Sequence, residues 1–508
     1  MALMANDGRD KKDPSKTSSA YDVMEPRINL VNMLMAGTDA LRAAGEDYLP
    51  KHSAESDANY NERKARSVLV NYFRRTVESL VGKPFSKEVV LGEDMPAPLK
   101  ELAEDVDRQG NNINVFARRA FQDGLVKGLT HILVEFPNTA VEQPQTLEDE
   151  KQLGARPYFV LVPHENVLAA YSEYREGREV LTHVRIWEEE TRRDGFDEVT
   201  IQRVRVLEPG RWELWRKMAR NKWEKEDEGV TTLSYIPLVT FYADREDFMV
   251  AHPPLTDLAH VNISHWQSGS DQRNVLTVAR FPMLAGSGLN EEESVVKIGP
   301  RQLLTTISAD GKFYYVEHSG AAIESGRLDM KDLEAQMAML GVELLTKSGD
   351  MTATAKSIDT AENLSMLQAM ILIFADTLER AFQIAAEWLS LGKDAGGSIK
   401  INTDFGLSLN DATDLTTLQA ARTAKEISHE TFIHELQRRG VLSEDFDMEE
   451  DQKQMTAEKQ ANIVDAAFTN KLQQEGVLPK PPLPPSGDQQ QPPQQQPGEK
   501  KPPMMQQK

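Results

Sequence analysis

Apolar positions recur along this chain at two different periods, and the period divides it into segments. From Tyr60 to Gly82, the residues Val68, Leu69, Tyr72, Phe73, Thr76 and Leu80 fall on one side of a helix, with Arg63, Arg66 and Arg74 on other faces. A second helix is predicted over roughly 113–128, running into a strand, HILVEF, at 131–136. From about 156 to 243 the period shortens to two. PYFVLV, THVRIWEE, EVTIQRVRVL, RWELWRK and IPLVTFY are rich in β-branched and aromatic residues, and Pro209-Gly210 marks a turn between two of them. This half of the chain is predicted to be α/β, with a largely antiparallel sheet.

Beyond Pro254 the helical period returns. Leu255, Leu258, Ala259, Ile263 and Trp266 make one apolar face, after which HWQSGSDQRN (265–274) is polar on every side for about two turns. An ordinary core does not hold a helix that is polar all round. A catalytic cluster, a solvent-bridging strut and a wall between subunits all answer to that pattern. A β-rich insert follows, made of RFPMLAG, SVVKIGPRQLLTTI and KFYYVEH, with a hairpin signal at Asp310-Gly311. Residues 327–345 are predicted helical, as is a run from about Ala353 to Leu391 ending at Gly392 as its C′ glycine. At 1.5 Å per residue that run is a rod of roughly 55–60 Å. A short strand, SIKINTDF (398–405), precedes two more helices, with Asp414 and Ser428 as N-caps and Gly440 closing the second.

Both ends read as disordered. Residues 1–20 are polar without periodicity, and the tail 476–508 is Pro/Gln-rich, with ten of the 26 prolines from Pro479 onward. At 508 residues there is room for two or more domains. No window approaches the roughly 20 apolar residues of a membrane span, and the N-terminus lacks the apolar stretch of a secretory signal. Without cysteine the chain has neither disulfides nor thiolate chemistry, which fits a reducing compartment. A net charge of −22 argues against a surface that grips nucleic acid through phosphates everywhere, and leaves room only for local contact.

Candidate chemistry is sparse. His429 and His434 in HETFIH are five residues apart, about 140° around a helix, where a zinc-protease pair needs four. DVDRQGNNINVF from Asp105 begins like a calcium loop but carries Phe116 where a bidentate Glu belongs, so it is a helix-to-helix loop. VGKPFSK (81–87) lacks the first glycine of a phosphate loop and has Pro84 at the magnesium position. AGSGL is not a nucleophile elbow, and Asn262-Ile263-Ser264 is a glycosylation sequon in form only. No catalytic, metal or cofactor-binding residue is predicted. A chain of this size with long rods, a β insert and an all-polar helical stretch but no active site suits an oligomer.

The order of parts resembles the portal proteins of tailed bacteriophages, in a subgroup catalogued as a domain of unknown function. The stretches that carry the resemblance are NYFRRTVESLVGK (71–83), IPLVTFYADREDFMVAHPPLTDLAHVNISHWQSGSDQRN (236–274), YYVEHSGAAIESGR (314–327), TATAKSIDTAEN (352–363) and INTDFGLS (401–408). None is a catalytic signature; the likeness is cumulative over residues 45–450.

The resemblance implies an α+β portal fold and a ring, usually of twelve subunits, around a channel for double-stranded DNA. After a disordered 1–20, the wing would be 21–252, the first stem helix 254–278, the β-rich clip 279–326 and the second stem helix 327–346. The tunnel loop would be 347–357, the long kinked helix with a wing strand 358–408, and the helical crown 409–475. His265, Trp266, Gln267, Asp271, Gln272, Arg273 and Asn274 would then face neighbouring subunits. Lys347, Lys356, Thr352 and Thr354 would face DNA, and Glu291, Glu292 and Glu293 would lie on the clip's docking surface. Implied partners are further copies of the chain, double-stranded DNA, the terminase large subunit, a head-tail adaptor, and the major capsid and scaffolding proteins, with no membrane. The location would be the portal vertex of the virion, after synthesis in the host cytoplasm. Acidic walls keep a duplex from sticking, since repulsion acts over a Debye length of about 8 Å. The competing classes are another structural virion protein (a capsid or adaptor subunit) and an enzyme of the packaging machinery.

Overall fold

The computed structural model describes residues 13–137, 155–280, 283–287, 310, 312–316, 320–345, 365–392, 394–404, 412–438, 441–442, 446–448, 450–460 and 471. The chain forms two compact units, Met1–Leu407 and Ser408–Lys508. The fold is α+β. In the first unit four helices lead: α1 (Ser19–Ala36), α2 (Thr38–Ala44), α3 (Asp57–Arg66) and α4 (Tyr72–Gly82). Order begins earlier than the polar N-terminus implied. Ser18 caps α1 by accepting from the Tyr21 N–H, its own N–H bonds the Leu168 carbonyl at 2.9 Å, and Pro14 is buried.

The single helix expected over 60–82 is two. Ser67 ends α3, turning its hydroxyl back onto the Lys64 carbonyl, and Asn71 caps α4 by accepting from Arg74. Between them Val68 and Val70 face solvent while Leu69 is buried. That alternation is extended chain, which suits β-branched residues better than a helix does. The helices α5 (Ala97–Glu104) and α6 (Ile113–Lys127) flank the loop at Asp105, whose carboxylate accepts from the Gly110 N–H.

Three short pairs and two sheets make up the β structure. Strand β1 (Val90–Leu91) pairs with β14 (Ile399–Lys400), the part of the strand expected over 398–405 that pairs among the described residues. A three-stranded antiparallel sheet has the order β3 (Tyr158–Val162), β2 (Leu129–Glu135), β9 (Leu238–Tyr242). The helix α9 (Met366–Trp388) packs with α6 against it. Phe121, Phe241 and Phe374 form an aromatic knot with ring centroids 5.0–5.8 Å apart. Gly124 of α6 lies flat against the Phe241 ring, where a Cβ would collide with it.

The second sheet is an antiparallel meander of β4 (Val167–Arg175), β5 (Arg178–Asp194), β6 (Asp197–Glu208), β7 (Arg211–Met218) and β8 (Lys222–Val230). Gly210 takes a φ of +77° in the expected turn between β6 and β7. β8, KWEKEDEGV, is an edge strand with almost every position exposed, so no apolar alternation announced it. A small antiparallel pair, β10 (Arg245–Asp247) and β11 (Val250–Ala251), follows β9.

The helix α9 is shorter than the rod expected from spacing. Ser365 and Gln368 form a capping box at its start, so its 23 residues span about 35 Å. At its end the Leu391 N–H bonds Ala386 and the Ser390 N–H bonds Glu387, with Ser390 at a φ of +56°. The left-handed C′ position is therefore Ser390, two residues before the expected Gly392.

In the second unit, α10 (Ala412–Thr423) takes in Asp414, which is therefore not its cap. Ser428 caps α11 (His429–Arg438), accepting from Thr431 at 3.0 Å. Gly440 lies outside the described residues.

Candidate functional site

The segment after β11 builds a helix pair with a β pair beyond it. α7 (Thr256–Ala279) runs outward, and β12 (Met283–Ser287) pairs antiparallel with β13 (Lys312–Val316). α8 (Ala321–Glu343) then returns along α7. The contacts fix the antiparallel register. His265 Nε2 stands 3.5 Å from Glu334 Oε1, Gly269 faces Met330, and the Gln272 amide donates to the Ile323 carbonyl at 2.8 Å. The Gln272 amide occupies the space a Cβ at Gly326 would need. α8 starts six residues before the predicted 327, because Gly320 supplies a left-handed turn (φ +77°) just ahead of it.

The other side of α7 is held by the N-terminal helices. The Gln267 amide donates to the Tyr48 carbonyl at 2.6 Å, and Arg273 donates to the Arg66 carbonyl at 3.3 Å. Asn262 bridges the break between α3 and α4, accepting from the Phe73 N–H and donating to the Val70 carbonyl, both at 3.0 Å. It thereby satisfies two backbone groups that the break leaves without an intrahelical partner, one of them a first-turn N–H of α4. Asp271 meets Arg63 and His52, each at 3.3 Å.

Arg63 is the hub of this contact. Its guanidinium is buried, makes a two-point pair with Glu55 (2.8 Å twice) and donates to the Pro50 carbonyl at 2.8 Å. The Arg63 hydrogen bonds, together with the His52 N–H, hold the Glu55 carboxyl down at about 2.

Within one copy, much of 265–274 is held by residues of the same chain. His265 and Trp266 are buried in the chain's own interior. Gln267, Asp271, Gln272 and Arg273 are bound by residues of the same chain, and Arg273 and Asn274 are the two of the seven that are exposed. The stretch is polar because its partners are backbone carbonyls and charged side chains on both sides of the helix. Those partners lie some two hundred residues away in sequence at Tyr48, Arg63 and Arg66, and the spacing of apolar residues carried no signal of them. In the sequence Arg63 reads only as a residue off the apolar face of its helix, and Asn262 only as part of a glycosylation sequon in form.

The helix that lacks cover is α8. Of its 23 residues only Met337 is buried, while Leu328, Val342 and Met339 (76% exposed) face outward. Lys347, Thr352, Thr354, Lys356, Glu291, Glu292 and Glu293, and the run SVVKIGPRQLLTTI, lie outside the described residues.

Residues 254–389 match the family described as "Domain of unknown function (DUF4055)", about a quarter of the chain, from the start of α7 to the end of α9. No curated protein matches. Among solved structures the chain is similar to one titled "Virion of native gene transfer agent (GTA) particle", at 12% identity and a TM-score of 0.35, covering 70% of this chain and 86% of that one. It is similar also to "Neck of native GTA particle computed with C12 symmetry", at 13% identity and a TM-score of 0.35, covering 70% and 87%. Superpositions this loose carry no argument about the present chain.

Proposed function

We propose that this chain is a portal subunit, assembling into a ring around a channel for double-stranded DNA at one vertex of a viral capsid. The observation that carries the reading is α8: a 23-residue helix with one buried residue and a row of exposed Leu, Met and Val side chains. Side chains of that kind need apolar partners, and a single copy provides almost none. Closed assembly of identical copies is the economical source. The sequence resemblance to portal proteins puts the α7–α8 pair in the stem, β12 and β13 in the clip, and twelve copies in the ring.

In this reading the role is structural rather than catalytic. The net charge of −22 repels a passing duplex, and Lys347 and Lys356 supply weak phosphate contacts at the constriction. The terminase large subunit and then the head-tail adaptor dock at the clip, with Glu291, Glu292 and Glu293 on the docking surface. Capsid and scaffolding proteins surround the wing, and the mature location is the virion.

Negative-stain microscopy of the purified chain tests this: rings with a central hole are expected. The variant carrying Lys347→Glu and Lys356→Glu is expected to form the same rings while packaging or retaining less DNA. Monomers at every concentration and salt would sink the portal reading, and normal packaging by the variant would remove the two lysines from the channel.

A further inference from the structure

Two buried histidines meet at the junction between the two sheets. His131 lies in the central strand β2, opposite Thr240 of β9 and Val162 of β3. Residues directly opposite each other share a face of the sheet, so the Thr240 hydroxyl comes to 2.9 Å from His131 Nδ1. After Pro163 the chain makes one turn of 3-10 helix, His164–Asn166, before β4 opens the meander. That turn brings His164 Nδ1 to 2.9 Å from His131 Nε2. Neither imidazole is more than 1% exposed, and His164 Nε2 is buried with no hydrogen-bond partner among the described residues.

The same turn is held through charge. Glu165 Oε1 accepts from Lys127 of α6 at 2.6 Å and from the Asn32 amide of α1 at 3.3 Å, and Lys127 also pairs with Asp123 at 2.6 Å. Among the described residues, the charges that bear on the histidine pair are Glu165 and Lys127. Burial keeps both imidazoles neutral. It pushes His164 down to about 4, with Glu165 opposing and Lys127 assisting, and holds His131 well below the ordinary 6.5.

We propose that the His131–His164 pair is an acid-released latch on the turn that joins the two sheets. While both rings are neutral they share one proton along their bond, and the turn stays closed. With both charged, two N–H groups face each other and no hydrogen bond survives between them. Water also accommodates an imidazolium far better than this interior does. The open turn takes up protons at the ordinary 6.5 and the closed one only near 4 or below, so closure is fully present above pH 6.5 and is lost as pH falls. From pH 7.5 to 5 the opening constant grows about thirtyfold for each imidazole uncovered, and about a thousandfold for the two together. Asp123 has the opposite sign, since burial pushes its carboxyl up and acid favours its closed state. The Glu55 pair responds only below pH 4.5. Neither produces an opening between pH 6.5 and 5.

Hydrogen–deuterium exchange of the full-length chain at pH 7.5 and 5, with rates corrected for the pH dependence of free amides, reads the opening. Residues 159–168 are expected to open about a thousandfold more at pH 5 while α9 keeps its protection. An Asn amide copies the position of Nδ1 and a Gln amide that of Nε2. His164→Asn and His131→Gln therefore each keep the contact to the other ring and remove one titration. Each is expected to cut the acid response to about thirtyfold, and one folded variant is enough for the comparison. Protection of 159–168 that is unchanged at pH 5 overturns the latch, as does an acid response that a folded variant retains in full. Equal loss of protection in α9 overturns it too, because the chain is then unfolding as a whole.

Discussion

Arg63 joins the N-terminal helices to α7, and its bonding sets how costly its loss is. Its guanidinium is buried, Glu55 beside it is nearly as buried, and both Glu55 oxygens are taken up by the pair. Removing one partner strands the other charge, at a cost of about 3–5 kcal/mol. Lysine would not restore the two-point geometry. Arg63→Met is therefore expected to lower the urea midpoint markedly at pH 7, and an unchanged midpoint would show that the hub holds nothing.

The sign with pH follows from Glu55. Its carboxyl is depressed to about 2 in the folded chain, from an ordinary value of 4.5. Its contribution to stability is thus fully present above pH 4.5 and lost as pH falls through 2. Without Arg63 the folded value rises toward the unfolded one, so this part of the acid slope should flatten in Arg63→Met.

Elements with a strong apolar period were legible: α6, β2, β3, β5, β6, β7, β9 and the body of α9 lie where the pattern put them. Elements defined by other physics were not. β8 is charged because it is an edge, and the break at 67–71 depends on Asn262 far along the chain. The start of α9 was written locally, as Ser365 three residues before Gln368, but apolar spacing alone extended the helix across it. The same limit applied at the candidate site, where the polarity of 265–274 was plain and its partners were not. Tertiary packing also reverses a local preference at Gly124. Alanine favours a helix over glycine by about 1 kcal/mol, yet its Cβ would meet the Phe241 ring within the aromatic knot. Gly124→Ala should therefore destabilise by about 1–3 kcal/mol in urea unfolding; a more stable variant would mean the knot yields.

For the whole molecule, the well-covered sheet-and-helix interior and the poorly covered α8 stand in contrast. α9 buries twelve of its residues and α8 one. Segments with few buried contacts open locally at small free-energy cost, whatever the stability of the rest. In the free subunit the amide hydrogens of α8 should consequently exchange with solvent deuterium far faster than those of α9, with protection rising only as copies associate. Equal, slow exchange in both helices of the free chain would contradict this. Under the proposed assembly such a subunit would reach its final order through its neighbours, and the ordering of α8 would be part of the free energy of assembly. The growing ring would then be cooperative: the last copy to enter would meet partners on both flanks and be ordered by both at once.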